Sequence, residues 1–229
     1  MKEKKELIYS MVVPFIMALL MWIIHLIHYF FNIDFYYLGI HPRHLDGLLG
    51  IITTIFVHGD FQHLISNTLP FFLLTSALFL YYREFALKLL FYLTILTGIY
   101  VWIIARDSWH IGASGLVYAL ASFHVLSAVL RKNMRLLAFS MLVIFLYGGM
   151  IWGFFPEFFP EKNISFESHI MGSITGFLFS YKYRKYGLQK EEYVWPEEDE
   201  LSDENPYWEV EEESDEDPMV KEEKQEDDA

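Results

Sequence analysis

The sequence predicts an all-α membrane protein, a bundle of six transmembrane helices with a partly embedded first loop. Three observations carry that reading. Of 229 residues, 54% are hydrophobic and 18% aromatic, too apolar for an ordinary soluble domain. The apolar residues come in runs of about 20, the length that crosses a hydrocarbon core as a helix. Charge is segregated: residues 191–229 hold 20 of the 30 acids and only Lys221 and Lys224 as bases. The formal charge of −13 is thus the charge of a tail, and residues 1–190 carry 10 acids against 15 Lys and Arg.

Residues 1–8 form a short basic N-terminus, expected in the cytoplasm. The apolar run from Tyr9 to Phe31 is too long for a secretory signal core, and no small-residue cleavage site follows it. It reads as a first span that stays on the protein. Further spans are expected at about 61–81, 86–105, 114–130, 136–155 and 166–183. The fourth and sixth are short and rich in Gly, Ser and Ala, so they gain more from close packing than from lipid and form the interior pair. Residues 32–60 are too apolar for a solvated loop and too broken for a span. Leu45, Leu48, Leu49, Ile51, Ile52 and Phe56 alternate there with turn residues. Such a segment lies in the interface or is partly re-entrant, with protein around its backbone polar groups. Residues 191–229 have few aliphatic side chains and are expected to be a disordered cytoplasmic tail. Trp195, Tyr207 and Trp208 stand out in it as incidental aromatics or a short motif for an unknown partner. No repeat is evident.

Orientation follows from the bases. Lys2, Lys4, Lys5, Arg83, Lys88, Arg131, Lys132, Arg135, Lys182, Arg184, Lys185 and Lys190 fall on one side; only Arg43, Arg106 and Lys162 fall on the other. The positive-inside bias places both termini in the cytoplasm, which six spans satisfy, and the cell membrane is the expected location. There is no cysteine, which excludes disulfides, thiolate nucleophiles and cysteine-based zinc sites.

Polar side chains inside spans are costly, and each is a candidate for function. Ser114 lies in Gly112-Ala113-Ser114-Gly115 at the outer end of the fourth span. His169 lies near the outer end of the sixth, followed by Gly172 and Gly176 at four-residue spacing, a stripe that lets the two helices approach closely. His63 and Asn67 share a face at the start of the second span. A serine hydroxyl needs a neighbouring base to become a nucleophile, and His169 is the better placed one. Asn67 and His63, with the Ser114 backbone N–H, suit a developing oxyanion. The spans contain no Asp or Glu, and Asp60, Asp107 and Glu167 are assigned to flanking loops. A Ser–His dyad is the simplest reading. Its imidazole then needs an orienting contact, for which Tyr118, four residues after Ser114, is a candidate.

Each signal has a plainer reading. Gly-x-Ser-Gly alone is commonly a packing notch, His-x-x-x-Asn a helix–helix hydrogen bond, and a lone His before Gly-x-x-x-Gly an interfacial residue. Their joint occurrence on alternate spans at one depth favours chemistry. The other histidines carry less. His58 lies close to the proposed site and could equally bond the first loop to the second span. His25 and His28 are expected at the interface, His41 and His44 in the first loop, and His110 and His124 at a distance from the serine.

Together these residues resemble the rhomboid intramembrane serine proteases. The motifs are His63-Leu-Ile-Ser-Asn67, Gly112-Ala-Ser114-Gly115-Leu-Val-Tyr118-Ala and His169-Ile-Met-Gly172-Ser-Ile-Thr-Gly176, and the likeness covers about residues 9–185. The resemblance implies a six-helix domain with a water-filled cavity open to the outer side. It also implies cleavage of transmembrane segments of single-span membrane proteins near their outer ends. By motif position it implies Ser114 as nucleophile, His169 as general base, His63 and Asn67 as the oxyanion pair, Gly112 as the first motif glycine and Tyr118 as the residue packed on the base. A Trp-Arg pair common in that family's first loop is missing near Leu49-Gly50, with Arg43 out of register.

The expected activity is therefore serine endopeptidase chemistry within the bilayer, with no cofactor, no metal and no nucleic-acid partner. The alternative is a non-catalytic rhomboid-like binder of membrane helices, although such relatives usually lack the serine or the histidine. A transporter or histidine-metal membrane enzyme ranks third, because His58 and His63 are poorly spaced as ligands and no carboxylate in a span completes a set. Phe145, Tyr147, Trp152, Phe154 and Phe155, with Phe71 and Phe72, are candidates for a lateral gate.

Overall fold

Seven α-helices and four short 3-10 turns account for the regular structure of a computed structural model that describes residues 2–155, 157 and 165–190. The acidic tail at 191–229, with Trp195, Tyr207 and Trp208, and Lys162 lie outside the described residues. The helices are α1 (Lys2–Phe31), α2 (Gly50–Thr53), α3 (Phe61–Tyr81), α4 (Ala86–Ile104), α5 (Ser114–Arg131), α6 (Met134–Tyr147) and α7 (Phe166–Lys182). Among the described residues the only β pairing is the isolated bridge between Ile40 and His110.

Local chemistry sets the helix ends. The Asp60 carboxylate accepts the His63 backbone N–H at 2.7 Å and so starts α3 two residues before His63. Lys132 ends α5 in the left-handed conformation at φ +52°. Asn133 then starts α6, its side-chain oxygen accepting from the Arg135 and Leu136 N–H groups. After Tyr147 the chain tightens into a 3-10 segment, Gly148–Phe154.

Five stretches are long and apolar enough to cross a membrane: Lys4–Phe31, Phe61–Tyr81, Ala86–Ile104, Ser114–Arg131 and Met134–Phe154. The sixth expected span is α7, whose 17 residues leave it shorter than these five. Its interior is small and polar, and its partner is protein. Among the described helices, α5 and α7 are the most closely packed pair. A Cβ at Gly172 would overlap the Gly115 carbonyl, and one at Gly176 the Ala119 carbonyl and Ser122 Oγ. Ser122 Oγ also donates across the pair to the Ser173 carbonyl at 2.9 Å. Leu64, Phe71, Leu74 and Leu78 of α3 meet Leu89 and Leu93 of α4 and Leu120 and Phe123 of α5 in one core. Phe71 is wholly buried in that core. The outward faces of α1 and α6 stay apolar, with Phe145 85% exposed.

The segment before α3 is a compact knot. Thr53 Oγ1 donates to the Leu38 carbonyl, Thr54 Oγ1 to the His110 carbonyl, and the Gly112 N–H to the Thr54 carbonyl at 3.0 Å. Trp102 Nε1 donates to the His44 carbonyl, and Arg43 Nη1 to that of Ala105. A broken apolar segment thus finds its hydrogen bonds in α4 and in the strand-like stretch leading to Ser114.

Two sequence expectations change. Glu167 is in the first turn of α7 rather than in a loop, and is buried. His25 is buried rather than interfacial: its Nδ1 lies 3.1 Å from the His58 carbonyl and its ring meets the Phe61 ring edge-on at 4.5 Å.

Candidate active site

Ser114 is the first residue of α5, where backbone N–H groups have no partner within the helix. The turn that delivers it needs Gly112, whose φ of +107° is a left-handed conformation that side chains rarely adopt. A Cβ there would also come within 2.6 Å of the His63 ring. The next residue is held from the other side. The Ala113 N–H points at His58 Nε2 at 3.4 Å, and His58 is buried beneath it. Burial is the largest of the causes that push the His58 pKa down to about 3, so the ring is neutral near pH 7 and has a lone pair to accept with.

His169 projects from the first turn and a half of α7 and is 7% exposed. Its Nε2 is 3.0 Å from Ser114 Oγ, and its Nδ1 is 2.8 Å from the Gly153 carbonyl. A carbonyl oxygen only accepts, so Nδ1 carries the proton. Nε2 is then the bare nitrogen, and the serine hydroxyl donates to it. The Tyr118 ring stacks on the imidazole, with centroids 4.1 Å apart and planes 11° from parallel. The Tyr118 hydroxyl donates to the Met150 carbonyl, and Phe154 meets the Tyr118 ring edge-on at 5.2 Å. The imidazole is therefore clamped by a stacked ring and a backbone carbonyl. Among the described residues no carboxylate reaches it. Glu167, two residues away, turns to the Arg106 guanidinium at 3.5 Å.

His63 and Asn67 lie one turn apart on α3 and face Gly112. One Asn67 amide hydrogen is taken by the His63 carbonyl at 2.9 Å, leaving the second for another acceptor. Ser114, His169, Tyr118, His63, Asn67 and Gly112 thus converge, His58 supports the turn, and Gly172 and Gly176 set the approach of α7. His110 and His124 take other partners: His110 pairs with Ser165, and His124 Nε2 lies 2.9 Å from the Leu74 carbonyl.

The Rhomboid domain family matches residues 46–186, more than half of the sequence. The chain belongs to the rhomboid family. With its apolar helices, it is a multi-pass membrane protein. Uncharacterized proteins of Mycobacterium bovis and Mycobacterium tuberculosis are each 28% identical to it over 149 residues, 62% of this chain and 62% of theirs. A mimivirus protein named as a rhomboid is 25% identical over 146 residues, 58% of this chain and 73% of its own. The matches to the mycobacterial relatives thus span less than two thirds of their length.

One residue of this constellation carries no motif in the sequence. Gly153 supplies the carbonyl that fixes the His169 tautomer. A Cβ on it would overlap the Tyr118 hydroxyl and lie 2.9 Å from His169 Nδ1. Its only sequence signal is the glycine-rich run Gly148-Gly149-x-x-x-Gly153, which breaks the α6 pattern.

Proposed function

We propose that this rhomboid is an intramembrane serine endopeptidase, cleaving transmembrane segments of single-span membrane proteins with Ser114 and His169. The observation that carries the reading is the His169 ring held between two oxygens, one accepting from Nδ1 and one donating to Nε2. Ser114 Oγ attacks the scissile carbonyl carbon while its proton passes to Nε2. The oxyanion so formed is met by N–H groups at the start of α5 and by the Asn67 and His63 side chains. The imidazolium then protonates the leaving amine, and the C–N bond breaks to an acyl-enzyme. A water, deprotonated by the same nitrogen, releases the acid product and restores the serine. The Tyr118 stack and the Gly153 carbonyl do the orienting work that an acid does in a triad.

The reading includes six spans with α7 as the last, both termini in the cytoplasm, the Ser114 end of the bundle facing outward and the cell membrane as location. The first loop, with Leu45 82% exposed, would rest in the interface at that outer face. The test is cleavage of a single-span substrate in nanodiscs by the wild type and by Ser114→Ala. Loss of at least about 10³-fold in the variant is expected. Equal cleavage by both would remove Ser114 from the chemistry and overturn the proposal; cleavage by neither would overturn it in favour of a helix-binding role without catalysis.

A further inference from the structure

His110 lies outside the constellation around Ser114 and His169, yet it joins the two segments that carry them. It is buried in the connection between α4 and α5, two residues before the Gly112 turn. Its backbone is fully engaged. The N–H donates to the Ile40 carbonyl at 2.8 Å, and the carbonyl accepts from the Ile40 N–H at 2.9 Å and from Thr54 Oγ1 at 2.8 Å. The ring is engaged as well. Nε2 lies 3.0 Å from the Arg106 carbonyl, with Ser108 Oγ further off at 3.4 Å, and Nδ1 meets Ser165 Oγ. Ser165 Oγ in turn lies 2.6 Å from Ser168 Oγ.

These contacts set the direction of each hydrogen bond. Burial is the largest of the influences that push the His110 pKa down, which keeps the ring neutral near pH 7. A neutral ring carries one N–H. The Arg106 carbonyl only accepts, so Nε2 holds that proton and Nδ1 is bare. The Ser165 hydroxyl then donates to Nδ1, and the Ser168 hydroxyl donates to Ser165.

Ser165 stands just before α7, where a serine ordinarily accepts a backbone N–H of the first turn. It makes no such cap bond. Its hydroxyl goes instead to a side chain 55 residues away. Neighbouring contacts repeat the link. The Arg106 guanidinium lies over the Phe166 ring at 5.4 Å. The Arg106 backbone N–H and guanidinium both turn to Glu167 Oε1, at 3.4 and 3.5 Å. Ser165, Phe166, Glu167 and Ser168 thus each meet the α4–α5 connection, directly or through one hydroxyl, and His169 is the next residue. The start of a helix has the fewest internal hydrogen bonds, so the place of His169 depends on what anchors that turn.

We propose that His110, through Ser165 and Ser168, is a positioning residue for the dyad: it pins the start of α7 to the turn that presents Ser114 and so keeps His169 Nε2 within reach of Ser114 Oγ. This rests on the protease reading and adds to it a residue that touches neither substrate nor reacting atoms. Its loss should therefore lower the rate of the chemistry and leave substrate binding alone.

The test compares the full-length wild type, His110→Phe, Ser165→Ala and the double variant in nanodiscs with a single-span substrate. His110→Phe keeps an aromatic ring and removes both nitrogens. Titration with a fluorophosphonate counts functional sites, so that rates are read per site and unfolding is read separately. Each single variant should lower kcat per site by roughly tenfold, with KM within about twofold of the wild type. The double variant should lose no more than the greater single loss, because both substitutions cut one link. Ser165→Thr, which restores the hydroxyl, should recover most of the rate. Unchanged kcat per site in both single variants would overturn the role, as would losses that multiply in the double variant. A rise in KM alone, or a loss of titratable sites at an unchanged rate per site, would reduce His110 to a substrate contact or a folding staple and also overturn it. Absence of cleavage by the wild type would overturn the protease reading and this role with it.

Discussion

At the scale of single residues, the site turns on how one imidazole is held without an acid. The Gly153 carbonyl fixes which nitrogen carries the proton, and Tyr118 fixes the plane of the ring. Both act through position, so both are sensitive to displacements well below the size of a side chain. Gly153→Val adds bulk where a Cβ already overlaps the Tyr118 hydroxyl. Cleavage should fall by about 10²-fold, the cost of misplacing a reacting group by roughly 1 Å. The circular dichroism of the variant should stay helical; retention of full kcat/KM would refute the clamp. In His169→Ala, labelling of Ser114 by a fluorophosphonate should fall by about 10²–10⁴-fold, the usual contribution of a general base. Labelling that survives at the wild-type rate would remove His169 from the dyad.

At the scale of elements, α5 and α7 form the unit that matters. Ser114 lies on one and His169 on the other, and the 3.0 Å between them depends on backbones separated by glycines alone. Gly176→Val lies two turns from His169 and touches no proposed catalytic group. It should still open the pair, because its Cβ would overlap the Ala119 carbonyl. Destabilisation of about 1–3 kcal/mol is expected, as for overpacked cores. It can be read from unfolding of the reconstituted chain, and an unchanged stability would contradict so close a helix contact. α7 is shorter than the five apolar stretches for the same reason: its favourable contacts are with protein rather than lipid.

At the scale of the whole molecule, the proposed topology puts the first loop and Ser114 at the outer face and the basic loops inside. The absence of cysteine makes the chain a ready background for accessibility labelling. An impermeant maleimide should label Leu45→Cys on intact cells and Lys185→Cys only after permeabilisation; the reverse pattern would invert the topology. The proposed chemistry also constrains substrates. A helical peptide bond is shielded and internally hydrogen-bonded, so a segment must unwind before its carbonyl reaches Ser114. Spans with Gly, Ala, Ser or Pro near the outer end should be cut faster than a poly-Leu span, by about tenfold or more if unwinding differs by some 1.4 kcal/mol. Equal rates for both would count against this requirement.

The sequence by itself determined the all-helical, multi-pass character and membership of the rhomboid family. Hydrophobic runs, basic loops and motif spacing are written in side chains, and side chains are what a sequence displays. It also named Ser114, His169, Tyr118, His63 and Asn67, the residues that the structure brings together. Only the tertiary structure decided what holds them. The Gly153 carbonyl and the Ala113 N–H are backbone groups that every residue type carries, so no residue identity announces their use. Glu167, assigned to a loop by the sequence, lies in the first turn of α7, where the fold pairs it with Arg106. Asp107 lies 66 residues from His41, and only the packing of the first loop against the α4–α5 connection brings the two side chains within hydrogen-bonding distance. Local pattern specifies which segments are helices; the meeting of distant polar atoms depends on how those helices pack.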